Sequence, residues 1–321
     1  MKIVFHGTNA GTFEPGFAAL LDHAHDVACV SDALRDPVEQ RAFAAADVLI
    51  GIKLDASMPR PERLRLYHAP AAGTDAIDRA CLPASMPLCN CFGHENAIAE
   101  YVMAGLLARF VPLATADREL RQGQWTHGAG NPGALRRELG NTTVGLLGFG
   151  HIGKAIAARA KAFGMGVTIA NRSAVPPSPL VDQSFGLDAL PAFMGSAEAI
   201  VVSLPLGPGT HGLVGAAELA AMRPDAVILN VGRGPVIDEA ALYRALRERR
   251  IGGAVIDTWY VYPTAAEPAP LPSTQPFHTL DNVVMTPHMS GWTSGMIRRR
   301  QETMADNIRR LQRGEPLNNV V

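Results

Sequence analysis

The stretch "LLGFGHIGKAI", residues 146–156, runs from an apolar segment through three glycines into a helical pattern. Gly148, Gly150 and Gly153 follow the strand-like "TVGLLG" directly and open the helical "KAIAARAKAFG". The strand-like "GVTIA" then completes a βαβ unit of about thirty residues. A lone G-x-G-x-x-G is a weak signal, often only a packed turn. Strand, loop, helix and strand in this order are what the pyrophosphate of a dinucleotide requires. Gly148 permits the tight turn, Gly150 lets backbone approach the pyrophosphate, and Gly153 lets helix and strand pack closely. The helix N-terminus adds N–H groups and positive potential. The segment reads as a cofactor loop.

Outward from the loop, the chain divides into two similar halves. "KIVF", "VACV", "DVLIGI", "LRLYHA" and "PLCN" read as short buried strands, alternating with helical stretches such as "GFAALLDHA" and "PVEQRAFAAA". "AIVVSL", "AVILNV", "GAVIDT" and "NVVMT" continue the pattern after the glycine loop. Such alternation predicts parallel sheets with helices on both faces. A long, largely apolar helix is expected from Glu95, and a second in the tail "TSGMIRRRQETMADNIRRLQRG". Two long helices bracketing the second half suggest a domain inserted into the first. The proline-rich "YPTAAEPAPLPSTQP" reads as a loop.

Composition narrows the function. The chain has 321 residues, a length for two domains, with 47% hydrophobic residues and a net charge of −1. No apolar run approaches the ~18 residues of a membrane span, and no like-charge block offers a nucleic-acid footprint. Arg298, Arg299 and Arg300 read as a solvated helix face. The opening "MKIVFHG" moves straight into a strand, so no cleaved leader is expected there. Four cysteines in a chain this long make no disulfide scaffold, and "LCNC" matches neither a redox pair nor a zinc site. A reducing cytoplasm is the expected compartment, with no membrane, nucleic acid or metal.

Several further motifs stand in order: "AAGTDAID" (71–78), "NAIAEYV" (96–102), "VGLLGFGHIGKAIA" (144–157), "SLPLGPGTHGLV" (203–214), "ILNVGRGPVIDEAAL" (228–242), "GGAVIDTW" (252–259) and "NVVMTPHMSGWT" (282–293). Together they resemble the D-isomer-specific 2-hydroxyacid dehydrogenases over nearly the whole chain. The resemblance implies an α/β fold of two doubly wound parallel-sheet domains. A Rossmann NAD(P)-binding domain, residues 96–288, would be inserted into a flavodoxin-like substrate domain, residues 1–95 and 289–321. It also implies a homodimer formed through the Rossmann domain. The expected activity is hydride transfer between NADP(H) and a small 2-oxo or 2-hydroxy acid, like a glyoxylate/hydroxypyruvate reductase.

Reducing a 2-oxo acid needs a hydride donor, a cation for carboxylate and carbonyl, a proton donor, and donors that fix the carboxylate. Arg233, in "NVGRG" just past a strand end, can hold a carboxylate with two parallel hydrogen bonds and polarise the adjacent carbonyl. His288, in "TPHMSG", is the candidate acid and base. The backbone of Ala72 and Gly73 is the candidate carboxylate cradle. Asp257 matches the family residue that bonds the nicotinamide carboxamide. The resemblance also implies cofactor contacts from His151 and Ile152 beside the three loop glycines. Further contacts would come from Leu204 and Pro205, Val231 and Gly232, and Ser290 and Gly291.

Two features depart from the commonest pattern. The family pairs its histidine with a glutamate five positions after the aspartate, where this chain has Tyr262. A Glu-Pro pair does occur at Glu267, but ten positions after Asp257, so Tyr262, aligned without a gap, is preferred. An NAD site would place a carboxylate ~20 residues beyond the loop. Here the strand "GVTIA" ends in Asn171, Arg172 and Ser173, which favours NADP(H), with NAD as the second option. Two alternatives follow from this reading. One is formate-dehydrogenase-like hydride abstraction, given the His-x-Ser-Gly stretch; the other is a dinucleotide-binding corepressor without turnover. A phosphite dehydrogenase would carry a lysine in the substrate loop, and "PAAGTDAID" has none.

Overall fold

The computed structural model describes residues 1–176, 178–264 and 266–321. Ala265, within the proline-rich loop, lies outside the described residues. The chain forms two compact units: Met1–His94 with Trp292–Val321, and Glu95–Gly291.

The first unit holds five strands: β1 (Lys2–His6), β2 (Asp26–Val30), β3 (Val48–Gly51), β4 (Leu66–His68) and β5 (Leu88–Cys89). All pair in parallel, in the order β2-β1-β3-β4-β5. This is the flavodoxin-like doubly wound order. Helices α1 (Gly7–Gly11) and α2 (Pro37–Ala44) connect the early strands. Asp36 caps α2 by accepting the Val38 N–H at 2.7 Å, with Pro37 pre-set for the first helical position. The helical stretch read in "GFAALLDHA" is only a short 3-10 turn, Phe17–Leu20.

The second unit opens with α3 (Glu95–Phe110) and α4 (Leu113–Leu120). The single long helix expected from Glu95 breaks between them with a 47° bend. Pro112 supplies the cause, because it has no N–H to continue the helical ladder. Then follow β6 (Thr143–Leu147), α5 (His151–Ala162), β7 (Gly166–Ala170), β8 (Gln183–Phe185), α6 (Leu190–Gly195), β9 (Ala199–Val202), α7 (Ala216–Ala221), β10 (Val227–Asn230), α8 (Glu239–Arg247), β11 (Gly253–Ile256) and β12 (Val283–Met285). They form one parallel sheet, β12-β11-β10-β9-β6-β7-β8. Every residue of β9, β10 and β11 is buried, as central strands covered on both faces must be. Ile98, Val102 and Leu106 of α3 pack with Ile156 and Ala160 of α5 in one core. Phe193, Leu219, Leu242 and Leu246 belong to the other core. No single helix among the described residues is long and apolar enough to cross a membrane.

The chain then returns to the first unit through α9 (Ser294–Arg313). Thr293 caps its start through the Met296 N–H, and Gly314 ends it in the left-handed conformation, φ 68°. Met296, Met304, Ala305 and Ile308 of α9 complete a core with Ile3, Phe5, Phe13 and Phe17.

Candidate active site

The glycine loop shows why each of its glycines is there. Gly148 has φ 99°, a conformation that a side chain resists. A Cβ on Gly153 would lie 2.4 Å from the Gly148 carbonyl oxygen, so strand and helix approach as closely as glycine allows. A Cβ on Gly150 would meet nothing within 4 Å. The fold therefore requires Gly148 and Gly153, whereas the space above Gly150 suits a ligand approaching backbone. Helix α5 starts at His151, and its first i→i−4 bond is Lys154 N–H to the Gly150 carbonyl. The N–H groups of Ile152 and Gly153 precede that ladder. This cradle fits a dinucleotide pyrophosphate.

Neighbouring turns close around the loop. Asn171 accepts the Phe149 N–H at 3.4 Å and donates to the Ser173 carbonyl at 3.0 Å. Its amide thus ties the glycine loop to the turn 171–173, a link the sequence did not announce. Arg172 and Ser173 stand exposed on that turn. A Cβ on Gly148 would touch the Leu204 side chain at 3.0 Å, and one on Gly232 would strike the Leu204 carbonyl at 2.6 Å. Val231 is buried and Pro205 exposed. The carboxyl ends of β6, β9 and β10 thus converge, as they do at ligand sites of open α/β sheets.

Arg233 is fixed by its flanking glycines. Gly232 lies against the Leu204 backbone, and a Cβ on Gly234 would sit 2.3 Å from the Trp259 carbonyl oxygen. Asn230 adds two bonds, accepting the Gly232 N–H and donating to the Arg233 carbonyl, each at 3.1 Å. The half-buried guanidinium donates to the Gly232 carbonyl at 3.0 Å.

His288 follows β12 in a left-handed conformation, φ 56°. Its Nδ1 lies 3.0 Å from the Tyr262 hydroxyl, which also accepts the Trp259 N–H at 3.0 Å. The structure pairs His288 with Tyr262; Glu267 is exposed and its backbone bonds to Thr264. The protein packed behind the exposed His288 ring lowers its pKa below the ordinary value. The Asp257 charge opposes that shift and the Arg233 charge adds to it. Desolvation by the surrounding protein likewise raises the pKa of the Tyr262 hydroxyl, which keeps its proton.

Asp257 has no exposed surface, and its carboxylate faces the loop that carries His288. It accepts from the Thr286 hydroxyl at 2.6 Å, the Met289 N–H at 2.8 Å and the Ser290 N–H at 2.9 Å. Ser290 is buried and Gly291 half-buried beyond it. His68 is likewise fully buried and accepts from the Asn307 side chain at 2.9 Å. Trp259 is also interior, donating through Nε1 to the Thr286 carbonyl at 2.7 Å. Trp292 remains exposed, edge-on to Phe13.

In the first unit, the loop bearing Ala72 and Gly73 is held by its carbonyls. Pro70 accepts from Arg300 at 2.8 Å, Ala71 from the Cys91 N–H at 3.0 Å, and Ala72 from Asn90 at 2.8 Å. Arg300, read as part of a solvated face, is buried there instead. No cluster of metal-ligating side chains occurs among the described residues.

Comparison with known proteins agrees with this geometry. Residues 103–290 match the family described as D-isomer specific 2-hydroxyacid dehydrogenase, NAD binding domain. A D-3-phosphoglycerate dehydrogenase of Methanocaldococcus jannaschii is 33% identical over 86% of this chain, though the match spans only 52% of that relative. A glyoxylate reductase of Korarchaeum cryptofilum is 29% identical over 96% of the chain and 86% of the relative. A D-isomer specific 2-hydroxyacid dehydrogenase from Xanthobacter autotrophicus Py2, solved with NADPH and MES, superposes with TM-score 0.80 and 30% identity. That alignment covers 99% of this chain and 97% of the other. The chain belongs to the D-isomer specific 2-hydroxyacid dehydrogenase family.

Proposed function

We propose that this protein reduces a small 2-oxo acid of the glyoxylate or hydroxypyruvate class to the 2-hydroxy acid, the D-isomer where the product is chiral, using NADP(H). The carrying observation is the grouping of His288, Tyr262 and Arg233 in the unit that also holds the glycine cradle, with Arg233 near enough to depress the pKa of His288. The names of the relatives, glyoxylate reductase among them, support the substrate class. When bound, the reduced nicotinamide supplies the hydride. The Arg233 fork holds the substrate carboxylate and polarises the carbonyl. Protonated His288 gives its Nε2 proton to the carbonyl oxygen and keeps the Nδ1 proton on the Tyr262 side.

Exposed Arg172 supports NADP(H), offering the 2′-phosphate a charge-assisted bond, with Ser173 beside it. The Xanthobacter relative was solved with NADPH. A homodimer is supported by exposed apolar residues on the second unit: Leu113, Leu120, Trp125 and Leu135. The cytoplasm fits four free cysteines. The test is loss of nicotinamide absorbance with glyoxylate, hydroxypyruvate, pyruvate and bulkier 2-oxo acids, using NADPH and NADH in parallel. Turnover with the small acids and a higher kcat/KM with NADPH are expected, and Arg172→Ala should weaken NADPH selectively by about tenfold. Preference for NADH would overturn the cofactor reading.

A further inference from the structure

We propose that Tyr101 is a positioning residue for His288, acting through Thr286 and Asp257 along a one-way chain of hydrogen bonds. This rests on the reading of His288 as proton donor. The direction of the chain follows from chemistry alone. Ionised Asp257 can only accept, so the Thr286 hydroxyl donates to Oδ1 at 2.6 Å. That uses its only proton. The 2.7 Å contact between Thr286 Oγ1 and the Tyr101 hydroxyl is therefore a donation by tyrosine. Thr286 is held for this role by its own backbone, with its N–H on the Ile256 carbonyl and its carbonyl on Trp259 Nε1.

The far end of the chain is the His288 loop. Left-handed backbone is unfavourable for a residue that carries a Cβ, so φ 56° at His288 needs support. The support is the Asp257 carboxylate, which receives the next two N–H groups, those of Met289 and Ser290. Tyr101 lies on α3 and reaches this point from 185 residues away in sequence. Its hydroxyl orients Thr286, which orients the carboxylate, which sets the turn that aims the imidazole. The charged or titratable groups acting on His288 are Asp257 past β11, Arg233 past β10, and Tyr262 in the loop after β11. Removing either hydroxyl leaves the Asp257 charge less satisfied and stronger at His288, so the imidazole should titrate at higher pH.

The test follows the His288 imidazole by NMR titration of the full chain labelled at histidine 13Cε1, its resonance assigned with His288→Gln. Tyr101→Phe and Thr286→Val each delete one hydroxyl at nearly constant shape. Both should raise the midpoint, by about half a pH unit, the valine more than the phenylalanine. The double variant should match Thr286→Val alone, because the two residues share one chain. Thr286→Ser should restore the wild-type midpoint. In turnover, kcat should fall several-fold in Tyr101→Phe while KM for the dinucleotide stays within twofold. An unmoved midpoint in Tyr101→Phe, or additive shifts in the double variant, overturns the proposal. The titration needs neither substrate nor turnover, so an inactive wild type would defeat the functional reading without deciding this one.

Discussion

The Tyr262 hydroxyl stands 3.0 Å from Nδ1 of His288 and 3.0 Å from the Trp259 amide nitrogen. With the Trp259 N–H on one lone pair, the oxygen has one lone pair and one proton left for the imidazole. It can accept from protonated Nδ1 or donate to bare Nδ1. It therefore orients the ring in both states without holding it charged, as a carboxylate would.

That relationship predicts the pH profile. Desolvation by the protein packed behind the ring and the Arg233 charge lower the pKa of His288, outweighing Asp257. The proton needed for reduction is thus lost below the ordinary ~6.5, and kcat/KM for reduction should already be falling as pH rises toward neutrality. Tyr262→Glu adds a negative partner and should move that limb alkaline by about one unit or more. A limb that stays flat well into the alkaline range, in both proteins, would show that another group carries the proton.

Arg233→Lys should lower kcat/KM for the 2-oxo acid on the order of a hundredfold, because a point charge cannot replace a planar two-donor fork. Dinucleotide affinity, read by fluorescence titration, should change little. Near-wild-type turnover would remove Arg233 from the site.

The glycine loop yields a contrast between neighbours. Gly153→Ala drives a Cβ against the Gly148 carbonyl oxygen, so it should destabilise the second unit by about 1–3 kcal/mol in denaturant. Gly150→Ala meets open space and should leave stability near wild type while weakening dinucleotide binding at least several-fold. Equal stability losses with unchanged binding would contradict the cradle.

These glycines were legible in the sequence because their constraint is local: one residue, one φ or one close approach. The strand alternation was legible because buried parallel strands are continuously apolar. β8, "QSF", escaped because it is a short edge strand that is largely exposed. The kink at Pro112 was written in the sequence and overridden by the apolar run around it. Asp257, Thr286 and Tyr101 could not be joined in advance, since nothing in local spacing pairs a helix tyrosine with a threonine 185 positions on.

His68 should set part of the acid sensitivity. Burial drives its pKa to about 4, against ~6.5 in an unfolded chain. The unfolded state therefore takes up the proton first, and stability present above ~6.5 is lost as pH falls toward 4, up to about 3 kcal/mol. His68→Gln can still accept from Asn307 and does not titrate. Its melting temperature should fall less than the wild type's between pH 7 and 4.5. Parallel curves would place the acid sensitivity elsewhere.

The two-piece first unit bears on synthesis. A ribosome delivers β1 to β5 well before α9, whose Met296, Met304, Ala305 and Ile308 finish the core around Ile3, Phe5, Phe13 and Phe17. Until α9 emerges, that apolar face lacks its cover, while the continuous segment Glu95–Gly291 is already whole. The nascent chain should thus fold from its middle outward, and its leading end is the part that most needs shielding by chaperones.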